Sequence, residues 1–203
     1  MQSIQTVSEN TIYVGASDRR LAKFENLFPI PRGVSYNAYV ILDEKTALLD
    51  TADASVGAQF LENVAAALDG RKLDYLIVDH MEPDHAAMIE AVLVRWPDLR
   101  LVVNAKTLPM LKMYFPTDSA AIDDALVVKE GDTLDLGKHK LTFVMAPMVH
   151  WPEVMLTYEE SEKILFSADA FGKFGALCHE GEWIDEARRY YFNIVGKYAQ
   201  PGR

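Results

Sequence analysis

Apolar residues follow two rhythms along this chain. Thr11–Gly15, Ser35–Asp43 and Lys45–Thr51 are short runs rich in Val, Ile, Leu and Tyr, and Asp43-Glu44-Lys45 supplies turn residues between the last two, so all three read as antiparallel strands. From Ser55 to Asp69 the apolar positions Val56, Phe60, Val64 and Leu68 recur every four residues, which predicts an amphipathic helix capped by Ser55 and stopped by Gly70. Leu73–Val78 is a buried-type strand that runs straight into His80-Met81-Glu82-Pro83-Asp84-His85. A second helix, capped by Asp84, is expected through Arg95 before Trp96-Pro97 closes it, and Leu99–Val103 with Lys106–Tyr114 repeats the strand-then-helix order.

The second half changes to a meander. Thr133–Leu136, Lys140–Met145, Val154–Tyr158 and Lys163–Phe166 are predicted strands separated by turn-rich segments. A final amphipathic helix, Asp185 to Tyr198, is expected to turn Ala187, Tyr191, Ile194, Val195 and Tyr198 inward. Helices between two groups of strands imply two facing sheets with helices outside, an α/β sandwich rather than a doubly wound sheet. No G-x-G-x-x-G loop is present, which removes the usual dinucleotide reading.

Composition narrows the class. At 203 residues, half of them apolar, the chain reads as one domain spanning 1–203. Its formal charge of −10 argues against a nucleic-acid face, which needs clustered Lys and Arg. No apolar run approaches the roughly 18 residues of a membrane span, and Met1 to Asn10 is too polar for a signal peptide. The lone cysteine, Cys178, cannot form an internal disulfide and reads as a small packed side chain, so a cytoplasmic location is expected.

The chemistry concentrates at strand ends. His80, Glu82, Asp84 and His85 place four potential ligands within six residues, stiffened by Pro83. If that segment is extended, His80, Glu82 and Asp84 share one face and His85 turns to the neighbouring space, a layout suited to two metal ions side by side. His150 and Asp169 each follow a later strand. A lone His after a strand is usually a surface or hydrogen-bonded residue, and an Asp-His pair is often a helix cap. Four potential ligands in six residues after a buried strand exceed what that explanation covers. His139 and His179 carry no comparable context. Two divalent ions bring +4 and Glu82, Asp84 and Asp169 bring −3, so one bridging hydroxide neutralises the pair. Imidazole and carboxylate without thiolate suit iron or manganese, though zinc accepts the same donors.

The run Val78-Asp79-His80-Met81-Glu82-Pro83-Asp84-His85 resembles the H-x-H-x-D-H loop of the metallo-β-lactamase fold, with Glu82 in place of the second His. That replacement is similar to the diiron domain of flavodiiron proteins, the A-type flavoproteins that reduce oxygen to water or nitric oxide to nitrous oxide. Gly33-Val34-Ser35-Tyr36-Asn37-Ala38-Tyr39, Pro147-Met148-Val149-His150-Trp151-Pro152 and Ser167 to Leu177 agree with the same family. The resemblance implies a metallo-β-lactamase-like αββα sandwich. It assigns His80, Glu82 and His150 to one iron, Asp84 and His85 to the other, and Asp169 to the bridge. It makes Tyr198 a candidate for a hydrogen bond to a gas ligand, the alternative being a buried helix-face tyrosine. Apart from the resemblance, Trp151 and Phe171 are candidate walls of a dry cavity or plain core residues.

The family also carries a last distal-iron His several tens of residues after the bridging Asp, whereas no His follows His179 here, so the C-terminal part of the family's domain is expected to be missing. The flavodoxin-like domain that carries FMN in the family is likewise expected to be missing from these 203 residues. Electrons are therefore expected from another domain or chain, either flavodoxin-like or a rubredoxin-type carrier, and the resemblance implies a homodimer. Rival readings are a reversible O₂-binding diiron sensor and, set back by Glu82, a binuclear zinc hydrolase.

Overall fold

Neighbouring residues on each central strand bury on opposite sides, and this sets the layers. In the computed structural model, residues 4–116, 119–177 and 183–198 are described; Cys178 and His179 lie outside them, as does the side chain of Tyr198. The strands are β1 (Gln5–Thr6), β2 (Thr11–Tyr13), β3 (Ala16–Asp18), β4 (Lys23–Phe24), β5 (Phe28–Pro29), β6 (Val34–Tyr36), β7 (Tyr39–Ile41), β8 (Ala47–Leu49), β9 (Tyr75–Ile77), β10 (Arg100–Asn104), β11 (Leu126–Val128), β12 (Thr133–Asp135), β13 (Lys140–Met145), β14 (Met155–Glu159) and β15 (Ile164–Phe166). The helices are α1 (Gly57–Leu68), α2 (Pro83–Ala86), α3 (Ile89–Arg95), α4 (Thr107–Tyr114), α5 (Ser119–Asp123) and α6 (Trp183–Tyr190).

A seven-stranded sheet runs β1-β2-β7-β8-β9-β10-β11, and a four-stranded sheet runs β12-β13-β14-β15. From the large sheet, Val40, Leu48, Leu76, Leu101 and Val103 pack with Phe60, Val64 and Leu68 of α1, Val92 of α3 and Leu111 of α4. Their neighbours Ile41, Leu49, Ile77 and Val102 face the other way, against Leu141, Phe143, Met155 and Phe166 of the small sheet. This is period-two alternation filling two cores, and it delivers the expected α/β sandwich. Among the described residues no helix is long and apolar enough to cross a membrane.

The second-half meander has the predicted order, with β13 antiparallel to both β12 and β14. Several local expectations change. Ser35–Asp43 is two strands: β6 pairs with β3, while β7 joins the large sheet between β2 and β8. The helical stretch after Thr51 begins with a 3₁₀ turn capped by Asp53, whose carboxylate accepts from the Ser55 amide at 2.8 Å; Ser55 instead donates its hydroxyl to Asp18. Asp69 takes the left-handed stop position that Gly70 was expected to fill. The predicted Asp84–Arg95 helix is two pieces, α2 and α3. Glu82 occupies the N-cap and Pro83 the first turn, so Asp84 lies inside that turn rather than capping it.

Candidate metal centre

Parallel pairing of β8, β9 and β10 brings their C-terminal ends to one edge of the large sheet. In the small sheet β13 and β15 both run antiparallel to β14, so their C-terminal ends also share an edge. The Met155 amide donates to the Asp79 carbonyl at 3.0 Å and ties these two edges together. His80, Glu82, Asp84 and His85 follow β9, His150 follows β13, and Asp169 follows β15, so chain topology alone gathers all six.

Their polar atoms form two groups that share one residue. Ligand atoms of His80, Glu82, His150 and Asp169 lie within 4.8 Å of one another, and so do those of Asp84, His85 and Asp169. The sequence expectation of one face for His80, Glu82 and Asp84 is therefore corrected. Pro83 opens a helical turn, which carries Asp84 round to the His85 side. Asp169 Oδ2 stands 3.0 Å from His150 Nε2 and 3.2 Å from His80 Nε2, while its Oδ1 stands 3.1 Å from His85 Nε2. Glu82 Oε2 is 2.9 Å from His150 Nε2 and 3.4 Å from His80 Nε2.

Each of two imidazoles is held from behind by a carboxylate that the sequence did not single out. His80 Nδ1 meets Glu153 Oε1 at 2.8 Å, and His85 Nδ1 meets Asp50 Oδ2 at 3.0 Å. Glu153 also accepts from the Met81 amide at 3.0 Å, and Asp50 from the Asp79 amide at 2.8 Å, so both carboxylates are themselves fixed. With Nδ1–H donated outward, the Nε2 lone pair points into the centre, the arrangement that orients histidine toward a cation. An acid directly after the apolar strand β8 and the acid three residues past His150 were the available sequence signals for Asp50 and Glu153.

A third residue escaped the sequence reading. Tyr190 donates its hydroxyl to Asp169 Oδ1 at 2.7 Å. The final helix was expected to turn Tyr191 inward, but α6 passes into a π-helical segment at Tyr191–Val195, and Tyr190, Ile194 and Val195 are the buried positions while Tyr191 is exposed. Trp151 stands edge-on to His80, with ring centroids 5.3 Å apart. Phe171 is 74% exposed, so in this chain it walls no dry cavity at the cluster; it and Ala168 both adopt left-handed backbone.

The electrostatics follow from burial and mutual proximity. Burial opposes charge on His150, yet Asp169 and Glu82 outweigh it and push its pKa up to about 9. Burial raises Glu82, but His150 and His80 hold it down at about 2. Asp84 is pushed up to about 7 by burial, against the pull of His85 and with the Asp169 and Glu82 carboxylates adding to it. Asp169 is driven well below the carboxylate range by three surrounding histidines, despite its burial.

Among the described residues, the buried side-chain atoms without a hydrogen-bond partner include His80 Nε2, Asp84 Oδ1 and Asp169 Oδ2 of this cluster. Acceptor atoms buried together with no donor between them are costly unless a cation satisfies them. The donor set thus fits a metal pair in number, type and unfilled valence.

Comparison with known proteins agrees with this architecture. The family model described as "ODP family beta lactamase" matches residues 34–195. The chain is 36% identical over 198 residues to the nitric oxide reductase of Moorella thermoacetica, covering 93% of this chain and 49% of that protein. It is 34% identical to the anaerobic nitric oxide reductase flavorubredoxin of Klebsiella pneumoniae, covering 96% and 42%. Among solved structures, rubredoxin oxygen:oxidoreductase from Desulfovibrio gigas superposes with a TM-score of 0.91 at 32% identity, over 98% of this chain and 51% of that one. The chain therefore spans about half the length of these relatives. It belongs to the ODP family of beta-lactamase-fold proteins and corresponds to the diiron half of the flavodiiron proteins.

Proposed function

We propose that the chain holds two iron ions, one among His80, Glu82, His150 and Asp169 and the other among Asp84, His85 and Asp169, and that it reduces O₂ to water, NO to nitrous oxide, or both. The observation that carries this reading is Asp169, whose two oxygens face different histidine groups at 3.0–3.2 Å. Donors without thiolate suit iron, and the relatives' names describe redox reactions of small gases. With +4 from two ions and −3 from Glu82, Asp84 and Asp169, a bridging hydroxide completes the charge balance.

When bound, a ferrous pair would supply electrons and adjacent open coordination positions to O₂ or NO. The chain's own task is to hold the donor atoms in place. Glu153 and Asp50 fix the rings of His80 and His85, and Trp151 keeps one side of the centre apolar. Tyr198, in the last turn before residue 199, is our candidate for a hydrogen bond to the gas. Coupling NO consumes two electrons and full O₂ reduction four, so a separate donor is part of the proposal: a flavodoxin-like domain bearing FMN, or a rubredoxin-type carrier. We also propose a homodimer in the cytoplasm, whose reducing conditions suit a chain with one cysteine.

Metal analysis and an absorption spectrum of protein isolated without air test the reading. Two irons per chain and no flavin support it, and a single zinc overturns it. Mixing the reduced protein with O₂ then separates turnover from a stable adduct, the latter identifying a reversible O₂ sensor.

A further inference from the structure

We infer that Tyr190 is a positioning residue that locks the rotation of the Asp169 carboxylate, so that one oxygen serves each of the two ligand groups. The inference rests on the metal pair proposed above. A carboxylate joined to its chain by a single bond can rotate and present both oxygens to one side. Asp169 does not: Oδ2 faces His80 and His150, while Oδ1 faces His85 at 3.1 Å and takes the Tyr190 hydroxyl at 2.7 Å. Histidine nitrogens approach both oxygens, whereas the Tyr190 hydroxyl reaches Oδ1 alone and so adds a directed bond on that side of the carboxylate. An sp² oxygen has two lone pairs, so Oδ1 can accept from Tyr190 and still direct the other pair at a cation beside His85.

The surroundings hold Tyr190 to this job. Its ring is buried against Phe174, with centroids 5.1 Å apart at 66°, so the hydroxyl has little room to swing away. Close approach also depends on Gly172. A Cβ there would meet the Asp169 carbonyl oxygen at 3.0 Å and the Tyr190 ring at 3.1 Å, tighter than a side chain tolerates without a shift. The backbone reinforces the same geometry, since the Gly172 amide donates to the Asp169 carbonyl at 3.1 Å. Tyr190 itself reaches the centre from α6, an element remote in sequence from the His80 loop, just where α6 gives way to the π-helical segment.

The test is Tyr190→Phe, which keeps the ring and removes only the hydroxyl. Metal-free parent and variant are titrated anaerobically with Co²⁺, and binding is followed through its visible absorption bands. The expected result is an affinity about tenfold weaker at the Asp84–His85–Asp169 group, with the His80–Glu82–His150 group changed far less. Phe174→Leu is the control: it disturbs the ring packing, keeps the hydroxyl, and is expected to lower the melting temperature without selecting one ion. Equal titrations for Tyr190→Phe and parent would overturn the role of Tyr190 alone. So would an equal weakening of both ions in the two variants, which marks plain packing. A parent that takes up only one Co²⁺ overturns the two-ion reading itself, and with it this inference.

Discussion

Two buried histidine–carboxylate groups in this molecule use the same residue types toward different ends. His139, Glu159 and Glu162 bring their polar atoms within 4.8 Å of one another, as His80, Glu82, His150 and Asp169 do. In the first group the carboxylates are already spent. Glu159 Oε1 takes His139 Nδ1 at 3.0 Å and the Ser161 amide at 2.8 Å, and its Oε2 takes the Glu162 amide at 2.6 Å. Glu162 accepts from the hydroxyls of Ser8 and Thr11. The unpartnered Nε2 of His139 lies on the far side of the ring from the nitrogen that meets Glu159. Around the second group, backbone donors stop further out, at Glu153 and Asp50, and His80 Nε2 and Asp169 Oδ2 in its middle have no hydrogen-bond partner. Proximity of ligand types therefore does not make a site; what matters is whether turns and caps have used the lone pairs.

Substitutions sharpen this contrast. The largest effect is expected from Asp169→Ala, which removes the residue shared by both ligand groups: metal content of anaerobically prepared protein should show both ions lost. Retention of two tightly held ions would refute the bridge. Next comes Glu153→Gln, which weakens the hold on His80 Nδ1 while preserving shape. Metal affinity should drop by about 10–100-fold, read by competition with a chelator, and unchanged affinity would remove Glu153 from the orienting role.

Glu159→Gln should leave metal content untouched and alter stability instead. Burial raises the Glu159 pKa, but the Glu162 and Ser161 amides with His139 bring it below the usual carboxylate value. A carboxyl group depressed in the folded state stabilises the fold above its unfolded pKa, near 4.3, and that contribution is lost as pH falls through the lower, folded value. The variant should lose about 1–3 kcal/mol at pH 7 and show a flatter stability profile below about pH 4.5, measured by denaturant unfolding across that range. The smallest effect belongs to Asp53→Ala, at about 1 kcal/mol of stability through the lost cap, with metal binding unaffected. A larger loss from Ser55→Ala would reverse the assignment of that cap.

Much of the frame was legible because burial on a strand or helix writes itself into local spacing. The meander from Thr133 to Phe166 and the helix through Phe60 and Val64 follow from residues within one or two turns of each other. Junctions were harder. Whether Asp53 or Ser55 caps depends on Asp18, far along the chain, occupying the serine hydroxyl. The break between β6 and β7 depends on two different partner strands claiming the two halves.

The same division runs through the centre. His80, Glu82, Asp84, His85, His150 and Asp169 stand out in sequence because several ligand types crowd the ends of apolar runs, and that chemistry is local. Only the fold decided that Asp50 and Glu153 would stand behind the histidines, and that Tyr190 rather than Tyr191 would face Asp169. These are contacts between residues separated by 20 or more positions, Asp169 to Tyr190 included. Spacing along a chain records which face of an element is buried; it holds no record of which distant atom that face will meet.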